Sequence, residues 1–204
     1  HLADAITRTA LNMFAAKAKA GELDYLIIPG DLTKNGDYVS HTKLASILEA
    51  FEKETGVEVI VINGNHDINN HRAEFFKNGK FEKGNRITTP EEFREIYRNL
   101  GYDLAVAEFT PPAGEKAGGL SYVAQLKNGY RIVALDGGIY TSDVTSDGTD
   151  NQETAGKYTE ATFNWAIEQI KDSKEKGYSV LGLTHFGLVP HYGEAQFATL
   201  TAFL

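Results

Sequence analysis

The stretch VIVINGNHDINN, Val59 to Asn70, places an apolar run directly before a group of polar side chains. An almost continuous apolar run is typical of a parallel strand that is covered on both faces. We therefore predict a buried strand over VEVIVI, followed at its end by Asn65, His66 and Asp67. This strand would deliver three polar side chains to one point.

Two other predicted strands end in polar residues of the same kind. The segment DYLIIPGD ends in Asp31, and the segment YSVLGLTH ends in His185. In open α/β sheets, functional groups collect beyond the carboxyl ends of the strands. We therefore expect Asp31, Asn65 and His185 to converge. A carboxylate, an amide oxygen and an imidazole together suit a borderline metal such as Mn, Fe or Zn.

The remaining pattern alternates helices with strands, which predicts an α/β fold with mixed strand directions. We predict helices over Ala3–Ala20, Tyr38–Thr55, Thr89–Gly101 and Thr159–Lys176, and a hairpin that turns at Asn128-Gly129. We also predict a loop with short helical pieces over Asn69–Arg86, a surface loop over Asp143–Lys157, and a further loop and helix from Glu194. We expect His41 to be a surface or capping residue, because it lies on a predicted helix. Asp136, at the end of a strand, is expected to cap a helix or a loop.

These residue types fit the hydrolysis of a phosphate ester. A pair of metals about 3.5–4 Å apart can activate a water molecule and neutralise the phosphoryl oxygens. Asp31 suits the bridging position between two metals. A positioned histidine can protonate the leaving oxygen. His66 suits this role because it directly follows Asn65, and neighbouring side chains on an extended loop point apart. His66 therefore cannot easily bind the same metal as Asn65. Asp67 could then fix the tautomer and orientation of His66.

The motifs GD at Gly30-Asp31, GNHD at Gly64–Asp67 and TH at Thr184-His185 resemble those of the calcineurin-like metallophosphoesterases. Their order and spacing match that family over nearly the whole chain. The resemblance implies a layered αββα sandwich with mixed β-sheets. The finer pattern GDLTKNG…SH, GNHDINN and LDGGIY resembles the branch that contains bacterial cyclic-nucleotide-type phosphodiesterases.

The resemblance also implies a role for each matched residue. Asp31 would bridge two divalent metals, His1 would bind the first, and Asn65 and His185 would bind the second. His66 would be the catalytic histidine, oriented by Asp67. His71 and His191 lie close to the motifs and are candidate substrate contacts, with a solvated loop histidine as the alternative for each.

Two parts of the family pattern are not present in the chain. The aspartate expected two positions before His1 and the later Gly-His-x-His motif do not occur in residues 1–204. We therefore expect one incomplete metallophosphoesterase domain over 1–204, truncated at both ends, without its first strand and its C-terminal metal motif.

The expected function is dinuclear, metal-dependent hydrolysis of phosphate esters, with a cyclic nucleotide or a similar small diester as substrate. One alternative is a phosphomonoesterase or nucleotidase that uses the same site. A second alternative is a non-catalytic binding domain that keeps the fold. The two enzymes would differ in the loops that line the pocket.

The amino-acid composition indicates the class of protein and excludes several kinds of site. Hydrophobic residues make up 42% and charged residues 24%, a balance typical of a globular protein. The net charge of -8 argues against nucleic-acid binding, and no apolar run is long enough to span a bilayer. The chain has no cysteine, which excludes disulfides, thiolate zinc sites and cysteine nucleophiles. This fits a secreted or surface-anchored bacterial protein, although a cytoplasmic protein could have the same composition.

Overall fold

A computed structural model describes residues 2–70, 72–83, 86–138 and 156–188. Its helices and strands, numbered in chain order, are α1 Leu2–Lys19, β1 Tyr25–Ile28, α2 Tyr38–Thr55, β2 Glu58–Val61, β3 Glu74–Lys77, β4 Lys80–Lys83, α3 Pro90–Ile96, β5 Ala105–Glu108, β6 Tyr122–Gln125, β7 Tyr130–Leu135, α4 Glu160–Glu175 and β8 Ser179–Thr184. Within these ranges, no helix is both long and apolar enough to cross a bilayer.

Helix α2 begins and ends where the sequence predicts. The Asp37 side chain accepts a hydrogen bond from the Ser40 main-chain N–H, and Gly56 ends the helix with a φ of 73°. A glycine is favoured there because a Cβ strains a backbone with positive φ. Helix α3 also starts where the sequence predicts, and Thr89 and Glu92 form a reciprocal capping box there. Local capping chemistry therefore determines where both helices begin.

Helix α3 ends earlier than predicted. The pattern predicts a helix that continues to Gly101, but α3 ends at Ile96, and Tyr97 has a φ of -102° and a ψ of 18°. The chain then turns so that the Leu100 carbonyl accepts a hydrogen bond of 3.2 Å from the Val61 main-chain N–H. This tertiary hydrogen bond to β2 competes with continuation of the helix, and the local sequence does not reveal it.

The strands form two main sheets with mixed directions, as predicted. Strands β1 and β2 are parallel, with Tyr25 opposite Glu58. In the second sheet, β5, β6 and β7 are antiparallel neighbours and β8 runs parallel to β7. The Tyr122 hydroxyl of β6 donates a 2.6 Å hydrogen bond to the Val61 carbonyl of β2. This buried bond ties the two sheets together.

The two faces of the four-stranded sheet are buried against different layers. Side chains that alternate along β6 and β7 point to opposite faces. One set shares the main core with β2 and helices α1 to α3, and it consists of Tyr122, Ala124, Ile132 and Ala134. The other set, Val123, Val133 and Leu135, packs with Ala166 and Trp165 of α4. The result is the mixed α/β arrangement of helices and sheets expected from the sequence.

Two strand segments were not predicted. Residues 69–86 were expected to be a loop with short helical pieces, but they contain the antiparallel hairpin of β3 and β4. Asn78 and Gly79 form its turn with φ values of 51° and 79°, the geometry that an Asn-Gly pair favours in a two-residue hairpin. Strand β5 was missed because its four residues are mostly small and lie at a sheet edge. Most of the loop predicted over Asp143–Lys157 and the segment from Glu194 lie outside the described residues.

Candidate active site

The ends of three strands meet at one point, as the sequence predicts. Strands β1 and β2 are parallel neighbours, so the loops that follow them emerge side by side. Strand β8 belongs to the other sheet and brings His185 to the same place. The His185 Nε2 atom lies 2.9 Å from Asn65 Oδ1 and 3.5 Å from Asp31 Oδ1. The fold therefore brings Asp31, Asn65 and His185 together.

Two glycines permit the close approach of the two loops. A Cβ on Gly30, whose φ is 92°, would lie 2.6 Å from the Gly64 main-chain nitrogen. A Cβ on Gly64 would lie 2.3 Å from the Asp31 carboxylate oxygen Oδ1. Real Cβ atoms do not make such contacts, so each glycine is required by its surroundings. The GD and GNHD motifs thus include glycines for packing as well as ligands for chemistry.

The donor atoms of this group are arranged as a cation requires. The His185 Nδ1 atom lies 2.8 Å from the Pro29 carbonyl oxygen, and a carbonyl can only accept a hydrogen bond. Nδ1 therefore carries a proton, and in the neutral ring this leaves a lone pair on Nε2 directed at oxygen atoms of Asn65 and Asp31. Lone pairs that converge in this way form the kind of site in which a cation is bound. The three residues therefore fit a divalent metal.

The three candidate ligands are the carboxylate of Asp31, the imidazole of His185 and the amide of Asn65. Among the residues that the structure describes, no three His, Cys, Asp or Glu side chains come together as a possible metal site. The amide of Asn65 completes the present set. His1, the expected ligand of the first metal, lies outside the described residues, as do His71 and His191. The described part of the chain thus supplies ligands for one metal position and a carboxylate able to bridge to a second.

His66 lies beside this group. Its main-chain N–H donates a 3.2 Å hydrogen bond to Asp31 Oδ1. The Nδ1 atom of its ring is buried and has no hydrogen-bond partner among the described residues. The main chain of His66 is thus tied to the Asp31 carboxylate, while its ring has no partner on Nδ1 among the described residues. An unpaired buried nitrogen is unfavourable for a histidine with a purely structural role.

Asp67 does not orient His66, contrary to our expectation. Its fully buried carboxylate instead accepts hydrogen bonds from three main-chain N–H groups, those of Gly64 at 2.7 Å, Thr33 at 3.1 Å and Leu32 at 3.2 Å. Burial raises the pKa of Asp67, and the nearby His41 and the three N–H groups offset part of that rise. The carboxylate turns inward because the loop after β1 presents unpaired amides there. Asp67 therefore fastens the two ligand-bearing loops to each other.

His41 is not a surface residue, which corrects a second expectation. It is fully buried, with Nδ1 2.8 Å from Tyr97 Oη and Nε2 3.1 Å from the Asp67 carbonyl oxygen. Burial lowers the pKa of His41, which favours the neutral ring. A sequence signal for this existed, because His41, Ala45 and Leu48 lie on one buried face of α2 at helical spacing.

Asp136 caps a loop, as predicted. Its carboxylate accepts hydrogen bonds from the main-chain N–H groups of Leu120 and Gly138. It also accepts a 2.8 Å hydrogen bond from Asn63 Nδ2, which links the end of β7 to the end of β2. Asn63 was not identified from the sequence, although its place between a buried strand and GNHD could have indicated it.

Comparison with known proteins agrees with this geometry. The sequence model of the calcineurin-like phosphoesterase family matches residues 3–202, a range that contains Asp31, Asn65, His66 and His185. Members of this family typically use two divalent metals. No curated protein matches the chain. Because the family model covers nearly all of the chain and the expected ligands meet in space, the chain belongs to the calcineurin-like phosphoesterase family.

Proposed function

We propose that this protein hydrolyses phosphate diesters at a dinuclear metal centre built on Asp31, Asn65 and His185. One observation carries the proposal: the lone pairs of these side chains converge within 2.9–3.5 Å of His185 Nε2. A bound divalent metal would supply Lewis acidity toward the phosphoryl oxygens and toward an attacking water. Family membership supports metal-dependent phosphoester hydrolysis in general.

The protein residues have distinct tasks in this proposal. Asn65 and His185 would hold one metal, and Asp31 would be a ligand of that metal and of a second, for which His1 is the proposed ligand. His66 protonates the leaving oxygen from Nε2, because Nδ1 is enclosed by protein. Asp67 holds the two loops together through the three hydrogen bonds that its carboxylate accepts from main-chain N–H groups. His71 and His191 remain candidate substrate contacts.

The choice of a diester over a monoester rests on the resemblance of GDLTKNG…SH to cyclic-nucleotide-type phosphodiesterases. A small diester, such as a cyclic nucleotide, is therefore the proposed substrate class.

Metal-dependent hydrolysis of two aryl substrates tests this proposal. The purified chain would be stripped with a chelator, reloaded with Mn²⁺, Fe²⁺ or Zn²⁺, and assayed with a bis-aryl phosphodiester and an aryl phosphomonoester. We expect turnover only after metal is restored, with a higher kcat/KM for the diester. A preference for the monoester would favour the phosphomonoesterase alternative. Stoichiometric metal binding without turnover of either substrate would favour the binding domain.

A further inference from the structure

A buried histidine outside the ligand set connects the helices to both ligand-bearing loops. His41 of α2 is fully buried, and its ring packs edge-on against Phe93 and Tyr97, with ring centroids 5.5 and 5.6 Å away. The ring is thus fixed in the core by aromatic neighbours from α3 and the turn after it. Its two nitrogen atoms point in different directions, one toward Tyr97 and one toward the loops.

The partners of His41 determine the direction of each hydrogen bond. The Asp67 carbonyl oxygen, 3.1 Å from Nε2, can only accept, so Nε2 carries the proton. Thr33 Oγ1 lies 3.2 Å from the same Nε2 atom and shares that proton. In the neutral ring Nδ1 is then an acceptor, and the Tyr97 hydroxyl donates to it at 2.8 Å. The hydrogen bonds run from Tyr97 through His41 to Thr33 and Asp67.

Both loop partners of His41 are close in sequence to the proposed site residues. Thr33 lies two positions after Asp31, and Asp67 directly follows His66. The two partners also bind each other, because the Thr33 main-chain N–H donates to Asp67 Oδ1 at 3.1 Å. Thr33 Oγ1 in turn accepts a 2.9 Å bond from the Gly36 main-chain N–H. A single N–H group of His41 therefore contacts both loops at their junction.

We propose that His41 is a positioning residue for the metal centre, which acts by holding the Thr33 and Asp67 segments at one fixed separation. Through these segments it sets the distance between Asp31 on one loop and Asn65 and His66 on the other. His41 itself contacts neither ligand nor substrate in this proposal. The expected effect of His41 on metal binding rests on the proposed function, whereas its expected effect on amide protection in the two loops does not.

Three variants separate positioning from general stability. His41→Leu removes the ring's hydrogen bonds to Tyr97, Thr33 and Asp67 but keeps an apolar side chain in the core. His41→Gln retains an amide N–H that can reach the Nε2 position and donate to the Asp67 carbonyl. Leu48→Ala, at another fully buried position on α2, destabilises the core without removing a hydrogen bond to the loops. It is the matched control for lost stability.

Amide hydrogen exchange tests the positioning role without any metal. In His41→Leu we expect the amides of Leu32, Thr33 and Gly64, which donate to Asp67, to exchange at least about tenfold faster than in the wild type, beyond any change at Val61. His41→Gln should restore their protection, and Leu48→Ala should accelerate exchange at the loop amides and Val61 alike. Equal acceleration at the loops and at Val61 in His41→Leu would overturn the proposal.

Manganese affinity then tests the functional consequence. Calorimetric titration with Mn²⁺ should show a dissociation constant about 10–100-fold higher in His41→Leu, the range typical of residues that support metal ligands. His41→Gln should recover most of the affinity, and Leu48→Ala should bind as the wild type does at a temperature where both are folded. Unchanged affinity in folded His41→Leu would contradict the positioning role. Failure of the wild type to bind Mn²⁺ would overturn the proposed function, and loop exchange would still decide the role of His41.

Discussion

The Nε2 atom of His185 lies 2.9 Å from the Oδ1 atom of Asn65, although 120 residues separate them in the chain. His185 follows a strand of one sheet, and Asn65 follows a strand of the other. The Pro29 carbonyl accepts a hydrogen bond from Nδ1–H, so in the neutral ring both facing atoms present lone pairs. This arrangement suits a cation bound between them.

The first prediction concerns this contact. Asn65→Ala removes one donor of the set, and we expect the dissociation constant for Mn²⁺ to rise by at least about tenfold. The matched control is Asn99→Ala, because Asn99 is exposed and its amide donates a surface hydrogen bond to Glu49. Calorimetric titration of both variants checks this. Equal Mn²⁺ affinity in the two variants would rule out Asn65 as a ligand.

The second prediction separates two histidines. His66→Ala should lower kcat by about 10²–10⁴-fold, the usual contribution of a general acid, while bound metal stays unchanged. His185→Ala should instead lower the metal content, because its Nε2 faces Asn65 and Asp31. Metal analysis beside steady-state kinetics distinguishes the two. A His66→Ala protein with wild-type kcat would exclude its role at the leaving oxygen.

The third prediction concerns the glycine of the GNHD motif. Gly64→Ala places a Cβ 2.3 Å from Asp31 Oδ1, so the carboxylate or the loop must move. We expect loss of metal affinity together with a lower melting temperature. Gly182→Ala in β8 is the control, because a Cβ there meets nothing within 4 Å. Its stability should stay within about 0.5 kcal/mol of the wild type. Thermal unfolding and metal titration of both variants test this prediction. A Gly64→Ala protein with the melting temperature and metal affinity of the wild type would contradict it.

The fourth prediction concerns the bond between the two sheets. Tyr122→Phe leaves the buried Val61 carbonyl without the 2.6 Å bond from the hydroxyl, and we expect a loss of about 1–3 kcal/mol in unfolding free energy. Tyr130→Phe is the control because Tyr130 is 44% exposed. Urea unfolding of each variant measures the difference. Similar small losses in both would show that this bond contributes little.

The fifth prediction concerns pH. Burial lowers the pKa of His41 below its ordinary value of 6.5, so the unfolded chain binds a proton more readily than the folded chain does. The stability that neutral His41 contributes is therefore present above pH 6.5 and is lost as the pH falls below it. Relative to His41→Gln, the wild type should lose about 1 kcal/mol between about pH 7.5 and about pH 5.5.

Denaturant unfolding of both proteins at the two pH values checks the fifth prediction. Asp67 and Asp37 face His41 and favour its protonated form, which works against the effect of burial. Asp67 and Asp37 are present in both proteins, so the comparison isolates the histidine. A stability difference that stays constant with pH would show that His41 keeps an ordinary pKa in the folded protein.

The sequence alone was sufficient for features that depend on short segments of chain. Helix α2 could be predicted to its terminal residues because Asp37 and Gly56 act on the adjacent backbone. The three ligand positions could be predicted because each lies shortly after the end of an apolar strand. The hairpin of β3 and β4 was also encoded locally, in Asn78-Gly79, and its omission was an error of interpretation.

Only the tertiary structure decided what the buried polar residues do. The Asp67 carboxylate turns toward the amides of Leu32 and Thr33, some 34–35 residues away, instead of toward His66. His41 is buried because the Tyr97 hydroxyl and the Asp67 carbonyl satisfy its two nitrogens. A buried polar group takes whichever partners the fold places nearby, since leaving it unpaired costs about 1–3 kcal/mol. Spacing along the chain identifies candidate ligands, but it does not identify the distant groups that hold them in place.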